Sequence, residues 1–208
     1  MQVHSSLTNQ ARRAQIVKAA ISLLAESGYR VATFHNIAKQ AGVKSTRTIS
    51  YHFANKDDLI EAVVSHIYQL ISTYMADAGH HRASSPTSAL EGYVRAAVGL
   101  TKDHRDPMSA LMTIMLEHHL TEGREVYGDE QESHVVSEVE RILIDGQAAG
   151  EFTEFDTTIM ATTIQRSVDG IPFILRFNPD LDLDHYADEL VATFHRAVGS
   201  PEGRSSLS

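Results

Sequence analysis

A chain of 208 residues, 42% apolar and 22% charged, is long enough for a real core and has an ordinary folded balance. It has no cysteine, which excludes disulfides and thiolate chemistry and fits a reducing interior. The net charge of −9 argues, taken as a whole, against a partner as anionic as DNA.

The distribution of that charge reverses the argument. Residues 1–60 hold eight Lys and Arg against three Asp and Glu, a balance of +5; the rest holds ten against twenty-four, a balance of −14. A small basic head suited to phosphates precedes an acidic body that a duplex would repel. The polar N-terminus has no signal-peptide pattern, and no run approaches eighteen apolar residues. The expectation is a cytoplasmic protein with no membrane segment.

Residues 1–8 read as a loose tail. From Asn9 to Ser27 the residues Ile16, Ala19, Ala20, Leu23 and Leu24 recur at helical spacing, and Gly28 stands where a helix-ending glycine belongs. Thr33 then caps a short helix with Ile37, Ala38 and Ala41 on one face, and Gly42 breaks it. A second short helix begins near Ser45 or Thr46 and runs to about Phe53, with Ile49 and Phe53 inward. Its other side holds Thr46, Arg47, Thr48, Ser50, Tyr51 and His52. Two short helices, a glycine turn and a polar, partly basic second helix meet the needs of a helix-turn-helix, whose second helix enters a major groove with donors rather than carboxylates.

The wording of this stretch resembles the DNA-binding domain of the tetracycline-repressor (TetR) family of transcriptional regulators. The residues that carry the resemblance begin with Arg13, Ile16, Ala19, Ala20, Leu23, Leu24, Gly28 and Tyr29. They continue through Thr33, Ile37, Ala38, Ala41, Gly42, Val43, Tyr51, His52, Phe53, Lys56 and Leu59. The resemblance covers the first quarter to third of the chain. It implies an all-α fold: a three-helix helix-turn-helix domain over residues 1–56, then a helical effector-binding and dimerisation domain over residues 57–208. The first helix then braces the helix-turn-helix pair from behind.

The turn departs from the family's usual AGVSxGxLYxHF: AGVKSTRTISYHF is one residue longer. Lys44 replaces the usual capping serine, and Ser50 falls where a tyrosine is usual, so the helix start can shift. The DNA-binding set is Thr33, Lys44, Ser45, Thr46, Arg47, Thr48, Ser50, Tyr51, His52 and Lys56. Within it Arg47 and Thr48 are assigned to bases and Tyr51, His52 and Lys56 to phosphates. Arg47 is equally able to hold a phosphate, and His52 to pack inside the head.

Asn55 caps the next helix with Asp58 as its box partner. Leu59, Ile60, Val63, Val64, Ile67, Ile71 and Met75 mark its stripe over residues 57–78, which resembles the family's linker helix. The stretch GHHRASSPTS is read as a loop; its adjacent His80 and His81 lack partners for a metal. Further helices are expected over residues 89–105, 108–120, where Asp106 caps and Pro107 opens the helix, and 129–149. One long helix over residues 156–177 is kinked by Pro172, and the last covers residues 185–198. The final nine residues read as disordered. The last two helices resemble the family's dimerisation pair.

Glu117, His118 and His119 lack the H-E-x-x-H spacing, and no nucleophile elbow or phosphate loop occurs. No catalysis, cofactor or metal is assigned. The resemblance implies a homodimer on a near-palindromic operator in double-stranded DNA, most simply a repressor released by a small-molecule effector, with an activator or global regulator as the alternative. Ile67, Ile71, Tyr74, Met75, Tyr93, Met108, Met112 and Met115 form the candidate effector wall, since methionine adapts its shape and tyrosine orients a ligand. The competing classes are a helical metal or enzyme protein built on the histidines, and an adaptor that keeps the helix-turn-helix for packing only.

Overall fold

The computed structural model describes residues 2–79, 83–122 and 129–199, with side chains over 8–79, 83–117 and 135–199. His80, His81 and residues 200–208 lie outside the described residues, as do the side chains of His118 and His119. Ten helices occur among the described residues, and no strand. They are α1 (Gln2–Ser27), α2 (Phe34–Gln40), α3 (Thr46–His52), α4 (Lys56–Asp77), α5 (Pro86–Asp103), α6 (Arg105–Glu122), α7 (Asp129–Ala148), α8 (Thr157–Asp169), α9 (Ile171–Phe177) and α10 (Leu183–Val198). None is long and apolar enough to cross a membrane.

Several boundaries differ from the sequence reading. Residues expected as a loose tail belong to α1, since no proline or glycine interrupts Gln2 to Asn9. Helix α5 begins at Pro86, inside the expected loop. Ser85 Oγ accepts from the Ser88 amide at 3.2 Å, and proline after such a cap loses no helical hydrogen bond. Pro107 does not open α6; it sits in the third position of a helix that starts at Arg105, still within the turn whose amides have no helical acceptor. The long helix expected over 156–177 is two helices rather than one kinked one, because Pro172 has no amide to give and its ring crowds the carbonyl four residues back. Gly170 is both the end of α8 and the start of α9. The last helix starts two residues early, with Asp182 accepting from the amides of Asp184 and His185.

The chain forms two compact units, residues 1–70 with 104–128, and residues 71–103 with 129–208. This differs from a division at residue 56, because α6 packs along α1 and so joins the head. In the first unit Ile16, Ala20 and Leu24 of α1, Ile37 of α2, Ile49 of α3, and Leu59, Ile60 and Val63 of α4 are buried. In the second unit Leu90, Tyr93 and Val94 of α5 pack with Val139, Ile142 and Leu143 of α7, with Phe152, with Ala161 and Ile164 of α8, and with Val191, Phe194 and Val198 of α10. A smaller cluster joins Val98, Val168, Ile171, Leu183 and Ala187.

One polar chain runs inside that second unit. The Tyr93 hydroxyl donates to Gln165 Oε1 at 2.5 Å, and Gln165 Nε2 donates to Asp169 Oδ1 at 2.7 Å. Burial, with Asp169 and Glu138 nearby, pushes the Tyr93 hydroxyl pKa up.

Candidate nucleic-acid interface

The sequence of the head forms its turn for local reasons. The Thr33 side chain accepts from the Asn36 amide at 3.3 Å and starts α2. Gly42, at φ +63, ends it, with the Val43 amide bonded back to the Ala38 carbonyl at 3.0 Å. A side chain other than glycine or asparagine would be strained there. Ser45 then precedes α3 in an extended conformation, with no side-chain cap bond. The extra residue of this turn is therefore absorbed before the helix, which starts at Thr46.

Helix α3 buries one side and shows the other. Ile49 and Phe53 are 0% and 1% exposed, while Lys44, Ser45, Thr46, Arg47, Ser50 and Tyr51 are exposed. Tyr51 is 73% exposed, so its ring and hydroxyl are open to a partner. Thr48 and His52 are half-buried. The Tyr51 and His52 rings meet edge to face at 5.1 Å. The exposed set carries donors on a helix short enough for a major groove.

Lys56 has a different setting from the rest. Its Nζ donates to the Tyr29 carbonyl at 2.6 Å and sits 3.6 Å from the centre of the Tyr29 ring. Burial lowers its pKa, while Asp57 and Glu117 oppose that shift. In this structure the lysine ties the start of α4 to the segment that follows α1. The helix start itself is capped twice: the Asp58 amide donates to Asn55 Oδ1 at 2.9 Å, and Asp58 Oδ2 accepts from the Ala54 amide at 2.8 Å.

His52 is held toward its neutral form, by burial first and then by the positive charges of Arg13 and Arg12. A histidine pKa below the ordinary 6.5 in the folded state means that the unfolded chain binds the proton more readily. Its contribution to stability is complete above pH 6.5 and is lost as the pH falls toward the folded-state value. The wild-type denaturation midpoint is expected to drop between pH 7.5 and pH 5.5 by more than that of His52→Gln. Equal drops would remove His52 from this linkage.

The residues named for an effector divide between the units. In the first, Ile67 is buried and Met108, Met112 and Met115 are half-buried along α6. In the second, Tyr93 is 2% exposed and Met75 packs against the core cluster that contains it. Ile71 and Tyr74 are half-buried. The Tyr74 hydroxyl donates to Asp103 at 2.8 Å, and its pKa rises to about 12, by burial first and then by that bond and charge. The core use of Tyr93 is what its hydroxyl bond to Gln165 requires. Among the described residues no group of three His, Asp or Glu could hold a metal ion.

Sequence reasoning missed two contacts, one of them by Arg13, which it had named only for the resemblance. Arg13 Nη1 donates to the His52 carbonyl at 3.0 Å, and Gln15 Nε2 to the Ala41 carbonyl at 2.7 Å. Polar residues beside an apolar stripe are the only local signal for them.

Residues 16–63 match the family model described as bacterial regulatory proteins, tetR family. An HTH-type transcriptional regulator BetI of Burkholderia thailandensis is 34% identical over 87 residues, 41% of this chain and 43% of the relative. A BetI regulator of Escherichia coli is 34% identical over 106 residues, 50% of this chain and 52% of that one. The chain thus spans about half the length of the curated relatives it matches. Among solved structures, that of AibR in complex with isovaleryl coenzyme A and operator DNA superposes with a TM-score of 0.75, at 21% identity, over 88% of this chain and 97% of that chain. That likeness establishes the fold.

Proposed function

We propose that this chain, whose residues 16–63 match the tetR family of bacterial regulatory proteins, is a sequence-specific DNA-binding transcriptional regulator, a dimeric repressor released from its operator by a small-molecule effector. The observation that carries the reading is the exposed face of α3, with Thr46, Arg47, Ser50 and Tyr51 outward on a head of charge +5. Arg47 and Thr48 read base edges. Thr33, Lys44, Ser45, Thr46, Ser50, Tyr51 and His52 set the register on the backbone. Lys56 acts on phosphates from the start of α4. The reading places the protein in the cytoplasm and gives it no catalysis.

A single short helix makes too few base contacts for useful specificity, so two copies on a near-palindromic site are part of the proposal, with half-sites about one helical turn apart or a multiple of it. The effector belongs to the same reading. The structurally similar AibR is in complex with isovaleryl coenzyme A and operator DNA, which supports small-molecule control by analogy. The methionine and tyrosine residues named for it are tested by a thermal-shift screen of small molecules on wild type and Met112→Trp, with hits followed to operator release.

Genome-wide mapping of bound DNA, followed by binding to duplexes of the recovered site, tests the function directly. Arg47→Ala should weaken the recovered site by about 1–3 kcal/mol and random DNA by much less, the cost of one lost bidentate base contact. Equal weakening on both would make Arg47 a phosphate ligand. Failure to recover any enriched site would remove the function proposed here.

A further inference from the structure

We propose that Arg13, with Gln15 beside it, is a positioning residue that fixes the recognition helix from behind, an inference that rests on the DNA-binding reading for its consequence but not for its geometry. Helix α3 has seven residues, far fewer than the roughly 12–15 that an isolated helix needs. Its N-terminal end lacks a side-chain cap, since Ser45 makes no such bond. Its order must come from packing and from its other end.

Arg13 acts at that other end. Its guanidinium donates to the His52 carbonyl at 3.0 Å, one of the last-turn carbonyls that a helix leaves without an internal partner. Its positive charge sits where the helix dipole favours a cation. The same guanidinium lies 4.3 Å from the centre of the Phe53 ring, which is buried in the head. The guanidinium plane thus covers the first residue after α3 while one of its N–H groups caps the last. Gln15 does the matching work on α2, donating to the carbonyl of its C-cap Ala41 at 2.7 Å. Both short helices of the pair are therefore held at their C-terminal ends by side chains of one long helix, and the angle between them is referenced to α1.

Lysine would keep the charge and lose the planar fork; methionine would keep the stem and lose both. The ordering of variants is therefore Arg, then Lys, then Met and Ala together. A direct phosphate contact by Arg13 gives a different signature, because losing one phosphate contact lowers the slope of log affinity against log salt by about 1.

The test uses the full-length chain, with two readouts. Amide hydrogen exchange without DNA should show protection of residues 48–53 falling about tenfold in Arg13→Ala, with residues 16–24 unchanged and partial recovery in Arg13→Lys. Binding to a duplex selected from a random pool by the wild-type chain should weaken about tenfold with an unchanged salt slope. Weaker binding with a reduced slope and unaltered exchange would make Arg13 a phosphate ligand and overturn the proposal, as would no change in either. Should Arg13→Ala fail to fold, Gln15→Ala reads the same effect at residues 37–43. A wild-type chain that selects no duplex, with exchange altered as expected, would end the DNA-binding reading and leave the positioning role standing.

Discussion

Replacing Gly146 by alanine should destabilise the protein by about 3 kcal/mol, at the upper end of what overpacking a core costs. A Cβ at this position would lie 2.0 Å from Cδ2 and 2.2 Å from Cε2 of Phe152, distances that no real contact reaches. The ring has nowhere to go. The chain turns back after α7, with the Glu151 and Phe152 amides both bonded to the Gly146 carbonyl, at 2.9 and 3.1 Å. Those bonds hold Phe152 over the glycine, and the ring is part of the core with Leu90, Tyr93 and Leu143. Gly150 supplies the control. It has φ +73 but nothing within 4 Å of an added Cβ, so alanine there should cost only the left-handed backbone, about 1–2 kcal/mol. Denaturant unfolding at one fixed protein concentration measures both. If Gly146→Ala proved no worse than Gly150→Ala, Phe152 would not be locked as described.

If the protein is the operator-binding dimer proposed above, the paired substitution Ile159→Asp and Phe177→Asp should leave each chain folded, convert the protein to a monomer and weaken operator binding by roughly a hundredfold or more. Ile159 is 66% exposed and Phe177 76%, with Phe173 nearby at 49% and its ring 5.2 Å from that of Phe177. So much apolar surface on α8 and α9 is costly in water, and a second copy of this chain is the occupant the DNA-binding reading requires. On α8 the hydroxyls of Thr162, Thr163 and Ser167 are bonded to carbonyls one turn back, at 2.8 Å each, which turns polar groups inward along an exposed helix. Because the substituted side chains are exposed, the cost to the single chain is within about half a kcal/mol per site. Two linked half-site contacts gain about 10²–10⁴ over one, and a monomer forfeits that gain. Sedimentation and circular dichroism on the same samples decide it. A variant that remains dimeric would move the interface to another face.

Many of the helices of this protein were legible where their cause was local, although the equally local starts at Pro86 and Leu183 were not. The stripe through Ile16, Ala20 and Leu24, the Thr33 cap, the Gly42 turn and the Asn55–Asp58 cap all involve residues within one or two turns of one another, where periodicity and capping chemistry act. The exposed and buried sides of α3 were legible for the same reason. Ile49 and Phe53 lie four apart, and the polar residues fill the rest of the helix. The family resemblance added the DNA-binding reading of the head, since spacing alone left an ordinary helical corner open.

Residues distant in sequence were another matter. Arg13, Gln15 and Lys56 end on carbonyls 39, 26 and 27 residues away. Nothing local shows which distant carbonyl each of them reaches. The Lys56 side chain could be placed on a phosphate from its position at a helix start; only the packed head brings the Tyr29 ring and carbonyl to it. The Tyr93 hydroxyl looked available until α8 brought Gln165 to it. The joining of α6 to the head needed α1 as its partner, and the conflict between Gly146 and Phe152 needed the whole core behind the ring. Periodicity, caps and charge asymmetry are written in neighbouring residues and so were determined by the sequence itself. The choice among the many acceptors and apolar faces that a side chain could meet was decided by the tertiary structure, because desolvation and shape act only once distant segments have met.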